Sequence, residues 1–135
     1  MEIAHLVLYV ANQQVSAQFY GTVLARSPVL DLPGMTEFQL GPNCLLRLMP
    51  VAGIRRLLGP RLPNPEVASG IPRSEVYLEV KGAAEYHSRS LAHGGRELSA
   101  MALRNWGHRV AYSLDLDGHI LAFAELDSAL NQPAG

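Results

Sequence analysis

The stretch NWGHRVAYSLDLDGHILAFAE, residues 105–125, reads as a strand, a tight Asp-Leu-Asp-Gly turn and a second strand. Val, Ala, Tyr and Leu before the turn, and Ile, Leu, Ala and Phe after it, suit a pleated surface that is at least half buried. The stretch has a counterpart in the first half of the chain. LGPNCLLRLMP at 40–50 falls on DLDGHILAFAE at 115–125, and AHLVLYVAN at 4–12 falls on SEVYLEVKG at 74–82. The offset is about 70 residues at the first pair and about 75 at the second, so the chain reads as two copies of one unit.

Each copy reads as a strand, a helix and a meander that ends in a hairpin, with further turn chemistry at Asp31-Leu-Pro-Gly34 and Gly41-Pro-Asn43. Asn12 is placed to cap the first helix; Val15, Phe19, Thr22 and Val23 fall at i, i+4, i+7 and i+8, and Ser27-Pro28 lies beyond the end. The second helix, about 83–93, stops at Gly94-Gly95, because glycine accepts the positive φ of a helix C-terminus. Between the copies, residues 50–72 hold five of the nine prolines together with Arg55, Arg56 and Arg61. Proline-rich backbone cannot continue a ladder, so this is a linker with at most one short helical turn. The expected layout is one domain over 1–135: module 1 at about 1–50, linker 51–73, module 2 at about 74–126 and a tail at 127–135.

With 135 residues, 48% of them hydrophobic and 17% charged, the chain can bury a real core. A formal net charge of −1 gives no general attraction for nucleic acid or an anionic membrane, and a small ligand fits better. One cysteine, Cys44, excludes an intrachain disulfide framework and a multi-cysteine zinc site, and among apolar strand neighbours it reads as a small buried hydrophobe. The first strand opens without a basic leader, and no apolar run is long enough to span a bilayer, so the expectation is a soluble, unprocessed, cytoplasmic protein. HExxH, CxxC, GxSxG and a glycine-rich phosphate loop are all missing from the sequence. His108 and His119 flank turns and are expected to face solvent, while His87 and His93 lie on or just after the second helix.

A βαβββ unit covers only one face of its sheet with its own helix. The expected fold class is therefore α+β: two tandem βαβββ modules forming a curved mixed sheet, helices on the outer face and a concave ligand cup on the other. The motif H-x-x-L-x-V from His5, then Ser16, Phe19, Tyr20, Val23 and Leu24 in the helix, then Trp106-Gly107 ahead of Arg109-Val-Ala-Tyr112 and the Asp-x-Asp-Gly turn, resembles the vicinal oxygen chelate superfamily. This is the group of glyoxalases, bleomycin resistance proteins and extradiol dioxygenases, and the resemblance covers nearly the whole chain outside the linker and the last ten residues.

The resemblance implies that His5 points into the cup. Strand alternation then puts Val7 and Tyr9 on its face, with Leu45, Arg47 and Met49 from the last strand of module 1. Glu75, Tyr77 and Glu79 face inward from module 2 opposite apolar Val76, Leu78 and Val80, and Ile120, Ala122 and Ala124 do so from the final strand. Metal-dependent members carry ligands at the positions of His5, Arg47, Glu75 and Ala122. Arg47 offers no lone pair and Ala122 no donor, and Glu125 has the wrong parity to substitute, which leaves His5 and Glu75, fewer than the three protein ligands usual for catalytic zinc.

His5 is also compatible with an ordinary hydrogen-bonded histidine, and Arg47 and Glu75 with a mutual ion pair. Facing an open cup, Arg47 is instead an anchor for a ligand carboxylate or phosphate, with Tyr9, Tyr77 and Trp106 as flat walls. The leading expectation is a metal-independent small-molecule-binding protein of the bleomycin-resistance type, needing no cofactor. It holds an apolar or aromatic ligand, one that can also be anionic, through His5, Tyr9, Arg47, Met49, Glu75, Tyr77, Glu79, Trp106 and Ala122. The alternative is a glyoxalase-like lyase, isomerase or dioxygenase with a divalent metal on His5 and Glu75. A metal-free enzyme with Glu75 as catalytic acid or base is a third route. Uncovered sheet edges, and the habit of related proteins, make a homodimer the expected assembly.

Overall fold

The computed structural model describes residues 1–127, so the tail expected at 127–135 lies, apart from Asp127, outside the described residues. The chain divides into two compact units, the first Met1–Gly70 and the second opening at Ile71. The first contains β1 (Ala4–Val10), α1 (Gln13–Val23), β2 (Leu30–Leu32), β3 (Met35–Gly41) and β4 (Cys44–Pro50). Its four-stranded sheet has the order β1-β4-β3-β2, with β1 parallel to β4 and the other pairs antiparallel. The second contains β5 (Glu75–Glu79), a helix, β6 (Arg96–Leu103), β7 (His108–Leu114) and β8 (Ile120–Leu126), in the equivalent order β5-β8-β7-β6. Each unit is thus a βαβββ module with a mixed sheet.

Asn12 caps α1 as expected, its side-chain oxygen accepting from the Val15 backbone N–H at 3.0 Å. Asn12→Ala should cost about 1 kcal/mol, the usual worth of such a cap, read as a lower urea midpoint with an unchanged slope. The buried stripe of α1 is Ser16, Phe19, Tyr20 and Val23, not the expected Val15, Phe19, Thr22 and Val23. Both sets obey helical spacing and share Phe19 and Val23, but the observed one buries the Tyr20 ring, edge-to-face with Phe19 at a centroid distance of 5.1 Å, in place of the smaller Val15 and Thr22. Val15 is left exposed. The stripe shares a fully enclosed core with Leu8, Val10, Phe38, Leu46 and Leu48. Gln13 ties α1 to the β2–β3 hairpin, its amide donating to the Leu32 carbonyl and Thr36 Oγ1 while its oxygen accepts from Gly34 N–H.

The linker is more regular than its prolines suggest. It forms a two-turn helix, α2 (Val51–Leu58), and two short 3₁₀ turns, Gly59–Arg61 and Pro65–Ala68. Pro50 precedes α2, where no N–H is required, and Pro60 and Pro65 sit at the starts of the 3₁₀ turns, so none of the three removes a helical hydrogen bond.

In the second unit the helix α3 (Ala83–Ala92) is capped from a distance: Glu125 Oε1 accepts from the backbone N–H groups of Gly82 and Ala83. This is the use of the acidic residue whose parity disqualified it as a metal ligand. After α3 the chain turns through Gly94 at φ +107°, and a Cβ on Gly95 would stand 2.3 Å from Ser90 Oγ and 2.7 Å from the Ser90 carbonyl oxygen. The β7–β8 turn is held by Asp115 Oδ1, which accepts from Asp117 N–H at 2.9 Å and His119 N–H at 2.8 Å, with Gly118 at φ +89°. Among the described residues no helix is long and apolar enough to cross a membrane.

Candidate functional site

In the first unit, the β1–β4 register pairs His5 with Leu45, Val7 with Arg47 and Tyr9 with Met49, so these six share one face, opposite buried Leu8, Val10, Leu46 and Leu48. β3 adds Glu37 directly opposite Arg47. Arg47 Nη2 lies 3.2 Å from both Glu37 Oε1 and His5 Nδ1. A guanidinium only donates, so His5 Nδ1 is the acceptor and the ring hydrogen sits on Nε2. The His5 Nδ1 to Glu37 Oε2 approach of 3.6 Å is then a close contact and not a hydrogen bond. The Glu37 side chain is 7% exposed and that of Arg47 27%, so a nearly buried carboxylate neutralises a partly buried cation. Glu37, absent from the sequence-derived site, is the residue that sets the electrostatics of this face. Arg47 Nε is buried without a hydrogen-bond partner.

In the second unit, Glu75 pairs with Ile120, Tyr77 with Ala122 and Glu79 with Ala124, which gives the expected parity. Across β8, Tyr112 is the other neighbour of Ala122. Ala122 is 0% exposed and packs with Val110 and Ala124 beside Tyr77 and Tyr112, so it offers a ligand no surface of its own. Tyr77, Glu79 and Trp106 come together through His108. Tyr77 Oη is 2.9 Å from Trp106 Nε1 and 2.6 Å from His108 Nδ1, and His108 Nε2 is 3.1 Å from Glu79 Oε1. His108, expected to face solvent, has a side chain only 19% exposed, because the turn that carries Trp106 folds it against Tyr77.

Arg104, which the sequence reading passed over, sits 5.3 Å from the Tyr112 ring centroid, its Nη2 donating to Ser99 Oγ and to the carbonyls of Ala100 and Val110. Burial pushes the Tyr112 phenol above its ordinary value of 10.0; negative charge on Glu75 and Tyr77 adds to the rise and Arg104 opposes it. The unfolded chain therefore loses this proton first. Stability from this group is complete below about pH 10 and is lost as pH rises through the folded value. Tyr112→Phe should flatten that alkaline decline in urea unfolding measured across a pH series.

The four positions that the resemblance assigns to a metal do not fit one. Arg47 has no lone pair, Ala122 has no donor, and the Nδ1 lone pair of His5 is taken by Arg47 while its Nε2 carries hydrogen. Among the described residues no three His, Cys, Asp or Glu side chains are grouped to hold a metal ion. An open depression elsewhere in the first unit, lined by Asn12, Gln13, Ala17, Asp31, Leu32 and Pro33, contains none of the candidate residues.

No protein-family model matches the chain, and the curated proteins contain no significant match. Solved structures do match. A glyoxalase-related enzyme from Fulvimarina pelagi superposes with a TM-score of 0.75 at 24% identity, over 91% of this chain and 86% of that one. A glyoxalase/bleomycin resistance protein/dioxygenase from Nocardioides gives 0.69 at 24% identity, over 92% and 82%. A glyoxalase/bleomycin resistance protein/dioxygenase family enzyme from Burkholderia phytofirmans PsJN gives 0.76 at 10% identity, over 94% and 100%. Two βαβββ modules in tandem, matched over nearly their whole length by these neighbours, give this protein the glyoxalase/bleomycin resistance protein/dioxygenase fold.

Proposed function

We propose that the protein binds a small molecule without a metal, on the face of the sheet that carries Arg47, and that the ligand pairs an aromatic or apolar body with an anionic group. One observation carries this reading: a guanidinium, 27% exposed, stands at the position to which the resemblance assigns an acidic ligand, on a face shared with Val7, Tyr9, Leu45 and Met49. A mostly apolar surface with a guanidinium balanced by Glu37 suits such a ligand, since a charged hydrogen bond from the guanidinium can hold a carboxylate or phosphate. We also propose a cytoplasmic homodimer in which one of the edge strands β1, β2, β5 and β6 meets a second copy.

Isothermal titration with a panel of aromatic carboxylates and their uncharged methyl esters tests it. Arg47→Met should weaken the carboxylates about 10- to 100-fold, the equivalent of one charged hydrogen bond of about 1.5–3 kcal/mol, and leave the esters unchanged. Metal analysis of protein purified without chelator is the companion measurement. A stoichiometric divalent metal that His5→Ala removes would overturn the proposal in favour of a metal-dependent lyase, isomerase or dioxygenase.

A further inference from the structure

The Trp106–Tyr77–His108–Glu79 chain has a fixed direction. An indole nitrogen only donates, so Trp106 Nε1 gives its hydrogen to Tyr77 Oη at 2.9 Å. The Tyr77 hydroxyl hydrogen is then free to point at His108 Nδ1, 2.6 Å away. With Nδ1 accepting, the imidazole hydrogen is on Nε2, and that nitrogen lies 3.1 Å from Glu79 Oε1. The order is hydroxyl, imidazole, carboxylate: a nucleophile in hydrogen-bond contact with a base that a third group orients. Tyr77 Oη accepts one hydrogen bond and donates one, which leaves a lone pair for a reacting atom. The chain borders solvent at both ends, where Trp106 is 53% exposed and the Glu79 side chain 67%. With its carboxylate 67% exposed, the His108–Glu79 pair adds little to stability, so its contribution as a brace is small.

We propose that Tyr77 is an activated nucleophilic hydroxyl, with His108 as its base and Glu79 as a positioning residue, and that it accepts a small acyl group from an activated ester. In the step, Tyr77 Oη bonds to the acyl carbon while its hydrogen passes to His108 Nδ1. The bond from that carbon to the leaving oxygen then breaks, giving an O-acyl tyrosine, a leaving alkoxide or aryloxide, and an imidazolium paired with Glu79. The leaving anion or water removes the imidazolium hydrogen. No oxidant or reductant enters. This activity is independent of the ligand reading of Arg47.

The full chain is treated with p-nitrophenyl acetate, and acetylation is followed by intact mass and peptide mapping. Tyr77 should be acetylated at least 10-fold faster than Tyr9, Tyr20 and Tyr86 in the same molecules, an internal comparison that needs no variant. Tyr77→Phe should remove that fast acetylation. His108→Gly should slow labelling of Tyr77 at least 10-fold, and added imidazole should restore it, as judged by mass at Tyr77 and not by nitrophenolate release. Glu79→Gln should slow it several-fold with an unchanged melting temperature. Tyr77 reacting no faster than the other tyrosines, or His108→Gly labelling at the wild-type rate while still folded by circular dichroism, would overturn the proposal.

Discussion

Phe123→Ala should lower stability by about 3–5 kcal/mol, the usual cost of truncating a fully buried phenylalanine. Phe123 is 0% exposed in the middle of β8, with Leu78 of β5 and Ala111 of β7 as its cross-strand partners. The Tyr86 ring of α3 lies against it, centroid to centroid 5.4 Å. Deleting the ring removes one of the contacts that join helix to sheet, and flanking strands locked by ladder hydrogen bonds cannot move in to fill the cavity. A domain is stable by only about 5–15 kcal/mol, so the variant should unfold at markedly lower urea. A loss under about 1 kcal/mol would show that the second unit's core does not rest on this ring.

Glu37→Ala should cost about 2–3 kcal/mol, below the 3–5 typical for breaking a fully buried pair because the Arg47 side chain is 27% exposed and can recover some solvation. The loss arises from what remains: a guanidinium with Nε already lacking a partner and Nη2 left with only the His5 contact at 3.2 Å. Replacing both residues, Glu37→Leu with Arg47→Leu, should restore most of the stability, since a buried ion pair exchanged for packed apolar groups is often neutral or better. A double-mutant cycle in urea measures the coupling. Additive single and double losses would mean that Glu37 does not neutralise Arg47.

Period-2 alternation is a local property of the backbone, and it made much of this protein legible. The polar set Glu75, Tyr77 and Glu79 against apolar Val76, Leu78 and Val80 fixed the faces of β5, and the observed register with Ile120, Ala122 and Ala124 agrees. The internal repeat, the Asn12 cap and the closing hairpin were readable for the same reason: each depends on neighbours within a few residues. Residues whose roles depend on distant partners were not. Glu37 looked like any strand carboxylate until β3 set it opposite Arg47, and Glu125 acquired its role only when β8 brought it to the start of α3, 42 residues away. The phase of α1 was missed because two apolar stripes one residue apart both satisfy helical spacing, and the area buried against the sheet chooses between them.

By itself, then, the sequence determined two βαβββ modules, the alternation of faces along each strand, and side chains with no metal donor at Arg47 and Ala122, because side-chain chemistry and alternation need no partner to be read. The tertiary structure alone decided which charge meets which. It gave Arg47 to Glu37 and His5, and it joined Trp106, Tyr77 and His108 into one hydrogen-bonded chain with Glu79 3.1 Å from the imidazole. Hydrogen bonds and ion pairs act over about 3 Å, and only strand register brings residues from separate parts of the chain within that range.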